Sequence, residues 1–156
     1  MGRKKHLKGF SIVHADMKVH VSMDRINRNL DRAQFWLDNQ IMEDMSPLMP
    51  MNEGNFINAT KAKSRSLAGS GVVVAGIGPM GRYLYEGKVM VDKETGKGPR
   101  NIPGVGLRFR KGAKLVETNR PLTYSNPSAR PEWFEVAKKK HVKEWVDGVK
   151  EKAGGK

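Results

Sequence analysis

The sequence predicts an α+β fold in which a small, mainly antiparallel sheet carries an N-terminal and a C-terminal helix. One apolar stripe with helical spacing lies near the start of the chain and a second near its end, with short β-branched and aromatic runs between them. The length of 156 residues is typical of one domain. We expect a disordered basic arm at residues 1–9, a single domain at 10–150 with an inserted basic loop at about 92–114, and a flexible basic tail at 151–156.

The first predicted elements are a strand and a long helix. Alternating residues between Phe10 and Val21 indicate the strand, and either Ser22 or Asp24 can cap the helix that follows. The helix should end near Ser46, because a Ser-Pro-Leu-Met-Pro run begins there. Its apolar stripe recurs at three- and four-residue steps and consists of Ile26, Leu30, Ala33, Leu37, Ile41 and Met45.

The middle of the chain is predicted to form short strands and turns. A turn leading into a short strand is expected within residues 51–60, and the valine run 72–74 indicates a buried strand that ends in a tight turn at Gly78. Tyr83 and Tyr85 alternate, so they would face opposite sides of a strand.

A second helix is predicted near the C-terminus. Pro131 suits its first position, and Glu132 in the first turn complements the helix dipole. Phe134, Val142, Trp145 and Val149 share one face, with Trp133 and Ala137 beside them. Five aromatic residues are candidate anchors of the core or of a subunit interface: Tyr83, Tyr85, Trp133, Phe134 and Trp145.

The net charge of +13 is the strongest compositional signal. The excess lies in residues 1–20, 92–120 and 138–156, and the rest of the chain is neutral on balance. Such segments either keep a protein soluble or lie close to a polyanion, with nucleic acid as the leading candidate. Charge alone leaves both interpretations open.

No set of residues has the spacing of a catalytic or metal site. The chain contains no cysteine, its four histidines do not pair at helical spacing, and it has no apolar run long enough to span a membrane. The acids of the first helix mostly alternate with arginine, as on a solvated face: Asp24, Asp31, Asp38, Glu43 and Asp44. We therefore expect no enzymatic activity, no metal, no cofactor and no membrane partner.

One run matches the dinucleotide-binding pattern G-x-G-x-x-G, at residues 76–81. Asp92 follows Gly78 by only fourteen residues, whereas about twenty are usual between the motif and its acidic residue. Gly87 also interrupts the helix that the motif needs. A nucleotide-binding enzyme is therefore the least favoured interpretation.

Three stretches carry a resemblance when they are taken together. Asp44-Met-Ser-Pro-Leu-Met-Pro50, with Gly54 and Thr60 after it, is similar to a helix end that runs into P-x-x-P…G…S/T. Residues 78–90 are similar to P-Y-A-R-Y-L-Y-Y-G-K-V-M, and residues 128–146 are similar to a W-F-E-K-A-K…W terminal helix. In this order the chain resembles the minor capsid proteins of tailed phages of Gram-positive bacteria, in the head–tail connector, or neck and tail-completion, group.

The resemblance spans roughly residues 18–150 and departs from the pattern at Met80-Gly81, where Tyr-Ala is usual, and at Glu86, where a second tyrosine is usual. It implies a non-enzymatic virion protein, made in the host bacterial cytoplasm, that forms a homomeric ring in the neck between head and tail. It also implies neighbouring head-completion and tail proteins as partners, and double-stranded DNA in the lumen.

Four basic residues of the predicted loop are candidates to face that DNA or a neighbouring subunit: Arg108, Arg110, Lys111 and Lys114. The main alternative is a stand-alone, sequence-independent nucleic-acid-binding protein. It would explain the charge, but the sequence shows no helix with arginine and lysine clustered on one face and no aromatic-rich RNA-binding strand.

Overall fold

The fold was analysed in a computed structural model that describes residues 6–14, 17–51 and 55–154. In chain order the elements are β1 (Phe10–His14), β2 (Met17–Val21), α1 (Asp24–Met45), a 3-10 turn (Ser46–Leu48), α2 (Asn55–Arg65), α3 (Gly78–Glu86), β3 (Lys88–Asp92), β4 (Arg100–Ile102), β5 (Gly106–Arg108), β6 (Leu115–Pro121) and α4 (Trp133–Ala153). Within the described ranges the strands form three two-stranded antiparallel pairs, β1–β2, β3–β6 and β4–β5. The predicted α+β class is confirmed, and the N- and C-terminal helices pack against each other rather than on a common sheet.

Helix α1 buries only the second half of its apolar stripe. Ala33 and Met45 are buried, and Leu37 and Ile41 pack partly exposed against the core, whereas Ile26 and Leu30 are more than 40% exposed. The helix ends where predicted, since the 3-10 turn with Pro47 follows directly.

Helices α1 and α4 approach each other closely. A Cβ atom added at Gly148 of α4 would lie 2.0 Å from the Trp36 ring of α1, so only glycine permits this contact. The Trp145 indole of α4 donates a 2.6 Å hydrogen bond to Asp44 Oδ2 of α1. A ring contact and a partly buried hydrogen bond therefore hold the two long helices together.

Trp133, the first residue of α4, is fully buried at the centre of the core. Its ring lies edge-on to Tyr85, with 4.9 Å between centroids, and edge-on to Phe56 at 6.2 Å. Its indole Nε1 donates a 2.9 Å hydrogen bond to the Ala75 carbonyl. One side chain thus joins α2, α3, α4 and the segment that connects α2 to α3.

Two segments predicted as strands are helical. Residues 55–60 belong to α2, and Tyr83 and Tyr85 belong to α3. Helix α3 has proline in its first turn, and Gly87 caps its end in the left-handed conformation at φ 68°. The prediction was wrong because a short apolar run fits either a strand or a helix. In α3 the proline at the start and the glycine at the end favour a helix.

The valine run 72–74 pairs with no strand of the described chain, although a buried strand was predicted there. It forms an irregular segment in which the Val74 N–H donates to Ser64 Oγ at 3.3 Å. Val72 is half exposed. A β-branched run needs a neighbouring strand to complete its hydrogen bonds, and this segment lies beside helices instead.

The remaining differences concern loops and ends. The loop predicted at 92–114 contains the β4–β5 hairpin, and α4 begins at Trp133 rather than at Pro131. Helix α4 runs to Ala153, so residues 151–153 of the predicted tail are helical. The predictions for residues 1–5 and 155–156 lie outside the described residues.

Trp133→Ala should lower the free energy of unfolding by about 3–5 kcal/mol, because it removes a fully buried ring. Trp133→Phe keeps most of that burial and loses the Ala75 bond, so we expect a clearly smaller loss. Urea denaturation followed by circular dichroism measures both.

Phe134→Ala is the matched control, because the neighbouring ring is only half buried. We expect it to cost about 1–2 kcal/mol. Equal losses for Trp133→Ala and Phe134→Ala would contradict the central position of Trp133.

Candidate functional site

The five aromatic candidates divide between the core and the surface. Trp133 and Trp145 are buried, and Tyr85 is half buried against Trp133. Phe134 stacks on Trp145, with 6.3 Å between centroids, and keeps one side open to solvent. Tyr83 is half buried on α3. Burial and nearby Glu135 raise the pKa of Tyr85, so this hydroxyl stays neutral in the core. Trp133, Trp145 and Tyr85 are therefore anchors of the fold.

The β1–β2 hairpin places most of its apolar residues on one side. Its register pairs Ile12 with Val19 on one side and Val13 with Lys18 on the other. Four side chains on the first side are between 45% and 66% exposed, and we call them the hairpin face: Phe10, Ile12, Met17 and Val19. An exposed apolar group of this kind marks an interaction surface.

The chain before the hairpin is attached to α1. The Leu7 N–H donates to Asn27 Oδ1 at 2.9 Å, and Asn27 Nδ2 donates to the Leu7 carbonyl at 2.8 Å. His6 Nε2 lies 3.3 Å from Asp31 Oδ1. A Cβ atom at Gly9 would lie 2.6 Å from the Val21 carbonyl, so glycine allows the chain to enter the hairpin. His6 and Leu7 of the predicted disordered arm therefore have defined contacts with α1, and they leave the hairpin face exposed.

The second surface is the basic lobe, defined here as residues 88–121 with β3–β6 and the β4–β5 hairpin. Its three acids are all engaged in ion pairs. Asp92 and Glu94 pair with Arg110, and Glu117 lies within 4 Å of Arg82 and Lys88. Eight exposed basic residues contribute to its surface: Lys88, Lys93, Lys97, Arg100, Arg108, Lys111, Lys114 and Arg120.

Arg110 has a structural position within this lobe. Its guanidinium spans the buried Asp92 carboxylate and the Glu94 carboxylate, with Nη2 3.3 Å from Asp92 Oδ1. Asp92 also accepts hydrogen bonds from the Glu94 N–H at 3.2 Å and from Thr95 Oγ1 at 3.1 Å. Arg110, one of the four predicted contact residues, therefore joins the segment after β5 to the turn after β3.

The other three candidates lie on the surface of the lobe. Lys111 and Lys114 are exposed around the turn between β5 and β6, and the Lys114 carbonyl accepts the Lys93 N–H at 2.7 Å. Arg108 on β5 is exposed and lines a cleft of about 550 Å³ beside Phe109 and Met80. Lys111 and Lys114 therefore lie on the same connection, and Arg108 lies at the end of the strand that leads into it.

The glycine-rich run 76–81 serves packing. A Cβ atom at Gly81 would lie 3.0 Å from the Gly76 carbonyl carbon, so two glycines allow the chain to approach itself. A dinucleotide-binding motif requires a strand directly before its glycines. In the described chain the element before this run is helix α2, and the run leads into helix α3.

Two acids of α1 differ from the predicted solvated face. Asp38 is buried and accepts hydrogen bonds from the Gly69 N–H at 2.7 Å, the Gly71 N–H at 3.0 Å and Gln34 Nε2 at 2.7 Å. Asp44 accepts the bond from Trp145. Sequence reasoning missed both because their partners lie far along the chain, although the Gly-Ser-Gly turn at 69–71 signals free backbone donors.

Comparisons with models of protein families, with curated proteins and with solved structures found no match to this chain. Among the described residues, no group of three or more acidic and histidine side chains is placed to hold a metal ion. None of the helices in the same ranges is both long and apolar enough to cross a bilayer. The exposed apolar side chains of the hairpin face and the exposed cations of the basic lobe make these two surfaces the candidate functional sites.

Asp92→Asn should destabilise the protein near neutral pH. The hydrogen bond from Arg110 holds the pKa of Asp92 below its ordinary value of 3.8, although burial raises it. Since the pKa is lower in the folded state, the pair stabilises the protein above about pH 4 and loses this contribution as the pH falls through the folded pKa.

Urea titrations of both proteins at pH 7 and at pH 2.5 measure this effect. We expect the difference in unfolding free energy between wild type and Asp92→Asn to shrink at the lower pH. A difference of the same size at both pH values would show that the Asp92 charge has no stabilising effect.

Proposed function

We propose that this chain is a structural virion protein of a tailed bacteriophage. Copies form a homomeric ring in the head–tail connector, the neck between head and tail, through which double-stranded DNA passes. Its other partners are neighbouring head-completion and tail proteins, and it is made in the host bacterial cytoplasm. The exposed hairpin face is the observation that carries this proposal, because a monomer gains nothing from an uncovered apolar sheet face.

A closed ring needs head-to-tail contacts between two different surfaces of each copy. The β1–β2 hairpin is suited to one of these surfaces, because it projects apolar side chains from a base that is held to α1 by Asn27. Its burial against a neighbour would remove four large apolar side chains from water.

The three stretches that carry the phage resemblance form one packed unit. The Glu132 N–H donates to the Tyr85 carbonyl at 2.7 Å, and the Arg130 N–H donates to the Leu48 carbonyl at 3.0 Å. The resemblance therefore covers the core that organises the fold, and this supports a shared architecture with connector proteins.

The basic lobe supports contact with DNA in the lumen. Its acids form ion pairs within the protein. The exposed Lys93, Lys97, Lys111 and Lys114 therefore give a positive surface. Phosphate contact needs no base-reading residues, and this suits DNA that passes through a ring in any sequence.

The test of the proposal is native mass spectrometry with negative-stain imaging of the purified protein, alone and mixed with DNA-filled, tailless heads of the phage that encodes it. Rings, or added density at the portal vertex, support it. A monomer that adds nothing to heads overturns it.

The hairpin face should be required for assembly but not for folding. Ile12→Thr combined with Val19→Thr keeps β-branched residues in both strands and places two hydroxyl groups at the centre of the face. We expect loss of ring formation or head binding, with a melting temperature close to that of the wild type, because these side chains are exposed in the monomer.

Val13→Thr is the matched control, since Val13 is the next residue of the same strand and lies on the opposite side. It should assemble normally. Equal loss of assembly in the control, or normal assembly of the double variant, would exclude the hairpin face as the contact.

The basic lobe also favours a second candidate function, a stand-alone protein that binds nucleic acid without sequence preference. Replacing Lys93, Lys97, Lys111 and Lys114 by glutamine should then weaken DNA binding by the monomer and reduce the slope of log affinity against log salt by about 3–4. Unchanged DNA retention and assembly would leave these lysines with no role beyond solubility.

A further inference from the structure

One side of helix α4, next to α1, is not covered by the described residues of this chain. The terminal helix carries Phe134, Val142, Trp145 and Val149 on one apolar face, as the sequence predicts. Of these four side chains only Trp145 is buried. Val142 and Val146 are each almost half exposed. Together with Leu37 and Ile41 of α1 they form the helix groove, a cleft of about 390 Å³ between α1 and α4.

The helix groove continues beyond Phe134. A second cleft of about 290 Å³ shares Leu37, Ile41 and Phe134 with it and extends to Val73 and Ala75. The two clefts adjoin along α1 and are mostly apolar, with Gln34 and Asp38 as the polar lining of the second one. An apolar groove of this kind receives the apolar side of an amphipathic helix.

The charged residues that line the cleft between the helices are both lysines, Lys138 and Lys150. They lie twelve residues apart on α4, which is about 18 Å along a helix. Their own partners, Glu135 and Asp147, lie at 3.9 and 4.0 Å in exposed pairs, and such pairs contribute little. Both ammonium groups are therefore available to a ligand.

We infer that the helix groove binds an amphipathic helix of a different protein, with an apolar face of about three turns and carboxylates at both ends. This rests on the proposed function, in which the chain has neighbours other than itself. Charge complementarity favours this occupant, because its carboxylates meet Lys138 and Lys150.

A second copy of this chain that docks through the same groove is disfavoured as the occupant. Two antiparallel copies of α4 would bring Lys138 of one copy against Lys150 of the other, and like charges at a contact oppose association.

The probe is a fluorescein-labelled synthetic helix with leucines at positions i, i+3, i+4 and i+7 and glutamates at both ends, measured by fluorescence anisotropy against the full-length protein. A second peptide has the same core and lysine ends. The glutamate peptide should bind at least about tenfold more tightly than the lysine peptide. Equal affinity of the two peptides would overturn the inference.

The decisive variant is Lys138→Glu with Lys150→Glu, and its matched control is Lys139→Glu with Lys140→Glu, which makes the same charge change at exposed positions of α4 that do not line the groove. Only the Lys138→Glu, Lys150→Glu variant should bind the glutamate peptide more weakly than the wild type, by about tenfold or more. Equal weakening in both would show a general charge effect and overturn the inference.

Val146→Glu provides an independent check, because the side chain is half exposed and its replacement leaves the core intact. It should abolish peptide binding while rings form normally. If Val146→Glu instead removes self-association in sedimentation experiments and leaves peptide binding unchanged, a second copy occupies the groove. Ring formation is measured separately on the hairpin variants, so failure of the groove and failure of the connector proposal remain distinguishable.

Discussion

The burial of the Trp133 indole is the interaction on which the rest of the structure depends. The described strands form three separate pairs, so no continuous sheet connects the helices. Trp133 takes that role: its ring contacts Tyr85 and Phe56, and its nitrogen bonds to the Ala75 carbonyl. Because an indole buries a large area and still satisfies one polar group, a single residue at the start of α4 can organise three other parts of the chain.

A core concentrated around one residue leaves apolar residues elsewhere uncovered. Three apolar surfaces lie outside this core: the hairpin face, the first turns of α1 with Ile26 and Leu30, and the helix groove. The small folded body thus presents several apolar surfaces and a separate positive lobe. These properties suit a protein whose contacts are completed by neighbouring subunits, since burial in an assembly supplies stabilisation that the isolated chain lacks.

The two long helices and the fold class were predictable because their apolar stripes extend over about four to five turns. The short elements were not. Tyr83 to Tyr85 alternate as a strand would, yet a proline start and the left-handed Gly87 place them in a helix. The irregular course of the valine run 72–74 depends on the absence of a partner strand in the described chain, and local propensity carries no information about partners.

By itself, the sequence determined the class of fold, the end of α1 before Pro47, the positive charge and the candidates for aromatic anchors. Only the tertiary structure decided which charges are paired and which apolar faces stay open. Arg110 looks like any other basic residue of the loop until folding places it against Asp92, eighteen residues away. Asp38 looks solvated until the 69–71 turn presents its N–H groups. Periodicity reports the local conformation of a chain, whereas pairing and exposure depend on contacts between distant segments.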